Sequence, residues 1–291
     1  MNIKDLLKKV RQIELKTKGL SEETFSGQYK TLYKGRGMSF SEVRPYQYGD
    51  DIRNIDWNVT ARMNEPHIKV FDAERERTFM ILIDLSASSM FGTTAENKRE
   101  FMAEVAATLA FSAKANNDKV GALFFATKVE YYLPPQKGRK HILHMIRQTL
   151  SLEVKNTNTN LNAPLKYLTN LINRRCTAFL LSDFIATDYS STLKIAAKRH
   201  DVIGIHIYDP RELELPDMGI LPMVDAETGQ LRWIDTSATA VRETYTKRFT
   251  QNLEQFHSSF RKFGADSLSI CTEESFVKEL IKFFRGRGII R

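Results

Sequence analysis

From residue 78 onward the chain alternates short apolar runs with longer segments of helical period, and no other feature restricts the fold as much. TFMILIDLS (78–86), KVGALFF (119–125), TAFLLSD (177–183), DVIGIHIY (201–208) and ADSLSIC (265–271) have strand length. Most of them carry apolar residues without a polar alternation. Strands of that kind are buried on both faces, as in a parallel sheet covered by helices. Helical periodicity fills the intervals. NKREFMAEVAATLAFSAKANN (97–117) puts Phe101, Val105, Leu109 and Ala113 on one stripe, and GRKHILHMIRQTLSL (138–152) follows. NTNTNLNAPLKYLTNLINRRC (156–176) reads as a polar loop and then a helix, with Pro164 tolerated in the first turn. YSSTLKIAAKRH (189–200), a long segment stopped by Gly264, and a last one from Ser275 complete the set. Strands alternating with helices imply right-handed crossovers and a mostly parallel α/β sheet. A turn near Thr127 divides KVGALFFATKVEYYLPP, and PDMGILPMVDAETGQLRWIDTS reads as a hairpin around Glu227-Thr228-Gly229.

The first 77 residues follow another pattern, which divides the chain into 1–77 and 78–291. Ile3, Leu6, Leu7, Val10 and Ile13 fall at helical spacing, and Gly19 ends that helix. Residues 24–77 are rich in Tyr, Gly, Arg and Asp, and predict irregular strands and loops of a small β-subdomain. No stretch reaches the roughly 18–20 apolar residues that span a bilayer, so no transmembrane segment is expected. The N-terminus has no signal-peptide pattern, and the expected location is cytoplasmic. Cys176 and Cys271 lie outside any metal-ligand spacing and read as buried free thiols. The net charge of +8 is dispersed, without a long basic run. No nucleic-acid partner is expected, although binding to an anionic surface, nucleic acid or membrane, stays open as an alternative.

Asp84, Ser86 and Ser88 occupy alternate positions where the first long apolar run ends. Ligands of open α/β sheets bind outside the carboxyl ends of the strands. Asp183 closes a second such run, and the NTNTN loop precedes a helix; all can meet at one sheet edge. Carboxylates and hydroxyls are hard oxygen ligands suited to Mg²⁺ or Mn²⁺. The plainer alternative is a turn in which Asp and Ser side chains cap free backbone N–H groups. His141 and His144 are three apart on a predicted helix and read as packing or surface residues.

The Asp84-x-Ser86-x-Ser88 run resembles the metal-ion-dependent adhesion site (MIDAS) of von Willebrand factor A domains. The resemblance implies a Rossmann-like α/β fold, a mostly parallel sheet flanked by helices. It also implies a threonine from a later loop, matched by Thr159, and an aspartate after a later strand, matched by Asp183. Thr157 competes with Thr159, because Asn158 stands where that family commonly has glycine. In such sites an open metal position is completed by a carboxylate of the partner protein. A second stretch is similar to domain-of-unknown-function family 58: Gly35-Arg36-Gly37, Arg44-x-Tyr46, Gly49-Asp50-Asp51, Arg53-x-Ile55-Asp56-Trp57, Ala61-Arg62 and Glu74-Arg75-Glu76. Members of that family often accompany MoxR-type AAA+ ATPases, which implies such a partner here. Within this stretch Trp57 is expected to pack the β-subdomain onto the sheet. Asp50 and Asp56 are expected to pair with Arg44, Arg53 or Arg62, and a docking surface for the ATPase is the alternative.

These readings favour a non-enzymatic module that binds Mg²⁺ or Mn²⁺ and grips an acidic side chain of a client protein. A metal-dependent phosphoester hydrolase is the alternative from another class. No GxSxG elbow and no GxxxxGK[ST] loop occurs, so an ATPase would be a separate polypeptide.

Overall fold

The computed structural model describes residues 8, 11–13, 38–73, 77–93, 97–154, 158–185, 188–224 and 230–290. Most of the expected N-terminal helix, Gly35-Arg36-Gly37, Glu74-Arg75-Glu76, Thr157 and the Glu227–Gly229 turn lie outside those residues. The chain divides into two compact units, one of Lys30–Glu76 and one of Met1–Tyr29 with Arg77–Arg291.

The larger unit is built on six strands: β3 (Thr78–Asp84), β4 (Lys119–Phe125), β5 (Val129–Gln136), β6 (Thr177–Ser182), β7 (Asp201–Tyr208) and β10 (Asp266–Cys271). Their order is β10-β7-β6-β3-β4-β5, parallel except for the antiparallel edge strand β5. The apolar runs of the sequence are explained by β3, which is covered on both sides. Phe79, Ile81 and Ile83 enter one core, whereas Met80 and Leu82 enter the other.

The first core is closed by α2 (Lys98–Ala115), α3 (Arg139–Ser151) and α8 (Phe276–Ile290), which contributes Phe276, Leu280 and Phe284. The second is closed by α4 (Asn162–Leu171), α5 (Ser190–Arg199) and α7 (Thr239–Lys262), with Leu165, Leu193, Phe256 and Phe260. α2 differs from the single apolar stripe read in the sequence. It is buried around its circumference, including Lys98, Arg99, Glu104, Thr108 and Ser112. Its small residues Ala103, Ala106, Ala107 and Ala110 allow close approach by neighbours on several sides. Ile13 also lies in the first core. Gly264, at φ +71°, follows the end of α7 as the sequence predicts.

After β7 come the one-turn helix α6 (Pro210–Leu213) and an antiparallel hairpin of β8 (Ile220–Val224) and β9 (Leu231–Asp235). Both cysteines are buried and free, and burial pushes the Cys176 thiol up to about 12. His141 bonds the Val120 carbonyl at 2.8 Å and His144 meets the Tyr131 hydroxyl at 3.3 Å, so both serve packing.

The smaller unit pairs β1 (Met38–Pro45) with β2 (His67–Ala73), antiparallel and with an irregularity between Phe40 and Glu42. Between them lies a helix the sequence reading missed, α1 (Trp57–Met63). Asp56 starts it by accepting from the Asn58 and Val59 amides at 3.0 and 3.3 Å. The β-branched and aromatic composition of WNVTARM hid that cap.

Gly204 in β7 lies under two rings of α7. A Cβ there would fall 2.6 Å from Phe260 Cζ and 2.8 Å from Phe256 Cε2. Gly204→Ala should therefore destabilise the protein by about 1–3 kcal/mol, through overpacking. Chemical denaturation measures this, and an unchanged midpoint would show that the two rings can swing aside.

Candidate metal centre

A buried parallel sheet leaves its strand ends as the places where side-chain chemistry can collect. Three neighbouring strands, β3, β6 and β7, each end at or run directly into an aspartate: Asp84, Asp183 and Asp209. All three are buried.

Asp84 is held from two sides. Its Oδ1 accepts the Ser86 amide at 2.9 Å, and its Oδ2 accepts the Ser182 hydroxyl at 2.6 Å. The chain then enters a 3-10 turn, Ala87–Met90, that places Ser86 Oγ and Ser88 Oγ 3.0 Å apart. The Ser88 hydroxyl donates to Asp183. Asp84, Ser86, Ser88 and Asp183 thus form one linked set, in which a capped turn and a metal-type donor arrangement coexist.

The Thr159 loop is fixed at the same edge. Asn160 donates its amide to Ala126 O at 3.0 Å and its side-chain NH₂ to Thr127 O at 3.1 Å, just past the end of β4. Thr159 Oγ1 is buried without a hydrogen-bond partner among the described residues. A buried hydroxyl left unpaired costs about 1–3 kcal/mol, and a hard cation would satisfy it.

Behind these residues is a cation the sequence reading missed. Lys98, the first residue of α2, has no exposed surface. Its Nζ lies 3.2 Å from Asp183 Oδ2 and 2.7 Å from Glu212 Oε1. Glu212 belongs to the capping box of α6, whose N-cap is Asp209. Asp209 also accepts the Thr93 amide at 2.8 Å and the Thr93 hydroxyl at 2.7 Å. Asp209 had the same sequence signal as Asp84 and Asp183, an aspartate closing an apolar run. Lys98 had none beyond its position at the start of an apolar helix.

Phe184, directly after Asp183, has φ +52°, an uncommon conformation for a bulky residue. Ser182 Oγ accepts its amide at 3.1 Å, and its ring packs 4.2 Å from that of Phe256. This strained turn lies beside the aspartate, where such outliers tend to cluster.

The carboxylates differ in charge state. Burial and the neighbouring Asp183 carboxylate push Asp84 up to about 7, against the hydrogen bonds from Ser182 and Ser86. Burial acts the same way on Asp183, but the Lys98 ammonium and the Ser88 hydroxyl outweigh it and hold Asp183 below the usual range. Burial raises Glu212 despite Lys98. His206 is lowered to about 4, chiefly by burial.

The donors suit a hard cation. Among the described residues no three His, Cys, Asp or Glu side chains are placed to hold a metal by themselves. A cation here would therefore rest on the carboxylates of Asp84 and Asp183 and on hydroxyls of Ser86, Ser88 and Thr159, completed by water, as Mg²⁺ or Mn²⁺ accepts.

In the smaller unit the signature residues organise loops. Arg44 grips Asp50 bidentately at 2.8 and 2.9 Å, and the Gln47 amide joins at 2.8 Å. Asp51 caps the 3-10 turn Ile52–Asn54 through the Arg53 amide. The Tyr46 amide bonds Pro66 O at 2.8 Å. One expectation is corrected. Asp56 pairs with Lys69 at 3.3 Å, not with an arginine, because its other oxygen is committed to capping α1. Trp57, the first residue of α1, is 71% exposed. Arg53 and Arg62 are exposed as well.

Asp84 carries a pH signature. Its folded value of about 7 exceeds the ordinary value near 3.8, so the folded state holds the proton longer than the unfolded one. The stability this proton contributes is complete at low pH and is lost as pH rises through about 7. In metal-free buffer, the Tm advantage of Asp84→Asn over wild type should grow from about pH 5 to 7 and then level off. Parallel curves for the two proteins would contradict this account.

Comparison with known proteins supports the family. Residues 42–255 match the family described as "Protein of unknown function DUF58". The uncharacterized protein Rv1480 of Mycobacterium tuberculosis is 31% identical over 281 residues, covering 96% of this chain and 88% of that one. Among solved structures, the conserved hypothetical protein BatB from Bacteroides thetaiotaomicron aligns with TM-score 0.45 and 14% identity over 74% of this chain and all of that one. The SpRpn10 VWA domain aligns with TM-score 0.40 and 11% identity over 71% of this chain and 94% of that domain. The chain has an α/β fold with a mostly parallel six-stranded sheet flanked by helices, and it belongs to the DUF58 family.

Proposed function

We propose that the protein is a non-enzymatic, metal-dependent interaction module, in which Asp84, Ser86, Ser88, Thr159 and Asp183 hold Mg²⁺ or Mn²⁺ and a client protein supplies an acidic side chain. The observation that carries this reading is the buried Thr159 hydroxyl, without a partner among the described residues, at the same sheet edge as the linked Asp84–Ser86–Ser88–Asp183 set. When bound, the cation would attract a carboxylate to its open position. The chain's own residues do the positioning. Ser182 and the Ser86 amide fix both oxygens of Asp84, and the 3-10 turn aligns the two serines.

The family resemblance supplies the second part of the proposal, a MoxR-type AAA+ ATPase partner in assembling or maturing protein complexes. The arginine–aspartate signature of the smaller unit, with Tyr48 and Trp57 exposed, offers a docking surface for it. Among the described residues no helix is long and apolar enough to cross a membrane.

Calorimetric titration with Mg²⁺ and Mn²⁺ tests the metal. Saturable binding is expected in wild type and its loss in Asp84→Ala. At a hundred times the dissociation constant the metal should stabilise wild type by about 2.7 kcal/mol and the variant by nothing measurable. Equal binding by both proteins would place the metal elsewhere. Capture of an acidic client with and without EDTA tests the metal-dependent contact, which should be lost in EDTA; capture of the purified ATPase should persist in EDTA and weaken in Trp57→Ala.

A further inference from the structure

We propose that Lys98 is a built-in counter-ion that sets the cation affinity of this site, through its division between Asp183 and Glu212. The proposal rests on the metal reading above.

Lys98 is placed where two effects oppose a cation. It is fully buried, and a desolvated ammonium is costly unless paired. It is also the first residue of the 18-residue helix α2, whose N-terminus carries partial positive charge and favours anions. An apolar side chain of similar length would avoid that desolvation cost. What holds the ammonium is the pair of carboxylates, at 3.2 Å on Asp183 and 2.7 Å on Glu212.

The two contacts have different consequences. Asp183 belongs to the candidate metal set, and a positive charge on its Oδ2 cancels part of the field that would attract a divalent cation. Glu212 lies outside that set and draws the ammonium the other way. The shorter contact is to Glu212, so Lys98 is positioned to leave Asp183 to an incoming cation while keeping a partner. Glu212 is further fixed by the Asp209 amide, which donates to its Oε2 at 2.8 Å. The receiving carboxylate is therefore held in place by the backbone. A site tuned in this way binds metal less tightly than its carboxylates alone would, and the filled site keeps one more positive charge with which to attract a client carboxylate.

The test is Mg²⁺ and Mn²⁺ calorimetry on the full chain in four forms: wild type, Lys98→Met, Lys98→Arg and Glu212→Gln. The metal-induced rise in Tm is read beside it. Lys98→Met should bind about tenfold more tightly or better, with a larger rise in Tm. Lys98→Arg, which retains the charge, should stay close to wild type. Glu212→Gln, which leaves Lys98 wholly to Asp183, should bind several-fold more weakly. If Lys98 only props the start of α2, Lys98→Met will bind equally or less tightly, and the proposal fails. If wild type binds no metal but Lys98→Met does, the proposal stands in its strongest form. If neither binds, it falls together with the metal reading; binding by wild type without the predicted order sinks this inference alone. Should Lys98→Met not fold, Glu212→Gln decides, and an unchanged affinity there overturns the proposal.

Discussion

Burial of the central strands on both faces is the constraint from which the rest follows. β3 sends alternate residues into two separate cores, so neither face can tolerate a polar side chain along its length. Polar chemistry is displaced to the strand ends. At the carboxyl edge three adjacent strands deliver Asp84, Asp183 and Asp209 within one neighbourhood. The edge strand β5 closes the sheet in the antiparallel sense, and the turn joining it to β4 anchors the Thr159 loop.

Several carboxylates buried together repel one another, and the fold answers each differently. Asp84 retains its proton up to about 7. Asp183 is kept ionised by Lys98 and a serine hydroxyl. Asp209 is satisfied by Thr93 and by the first turn of α6. Buried ion pairs of this type contribute little to stability over an apolar substitute, yet removing one partner strands the other. A site assembled this way gives up some stability for a fixed arrangement of charge.

The smaller unit uses acidic side chains for another purpose. Asp50, Asp51 and Asp56 each cap a turn or helix through backbone amides, and Asp50 and Asp56 add a basic partner. Such bonds order the loops of this unit. They also account for a motif dense in aspartate and arginine that places Trp57, Tyr48, Arg53 and Arg62 outward.

By itself the sequence determined the strand and helix sequence of the larger unit and the place of Asp84, Ser86 and Ser88 at a strand end. Periodicity and burial are local properties, and a serine pair two residues from an aspartate is visible in a line of text. The cap that starts α1 was equally local but was masked by strand-forming residues. Only the tertiary structure decided which distant groups complete the site. Lys98 meets Asp183 across 85 positions and Glu212 across 114, and Thr93 meets Asp209 across 116. Nothing in a helix-starting lysine announces that its ammonium will be enclosed. That outcome follows from strand order, because β3, β6 and β7 become neighbours only when the crossovers close, and their ends then share one buried, charged edge.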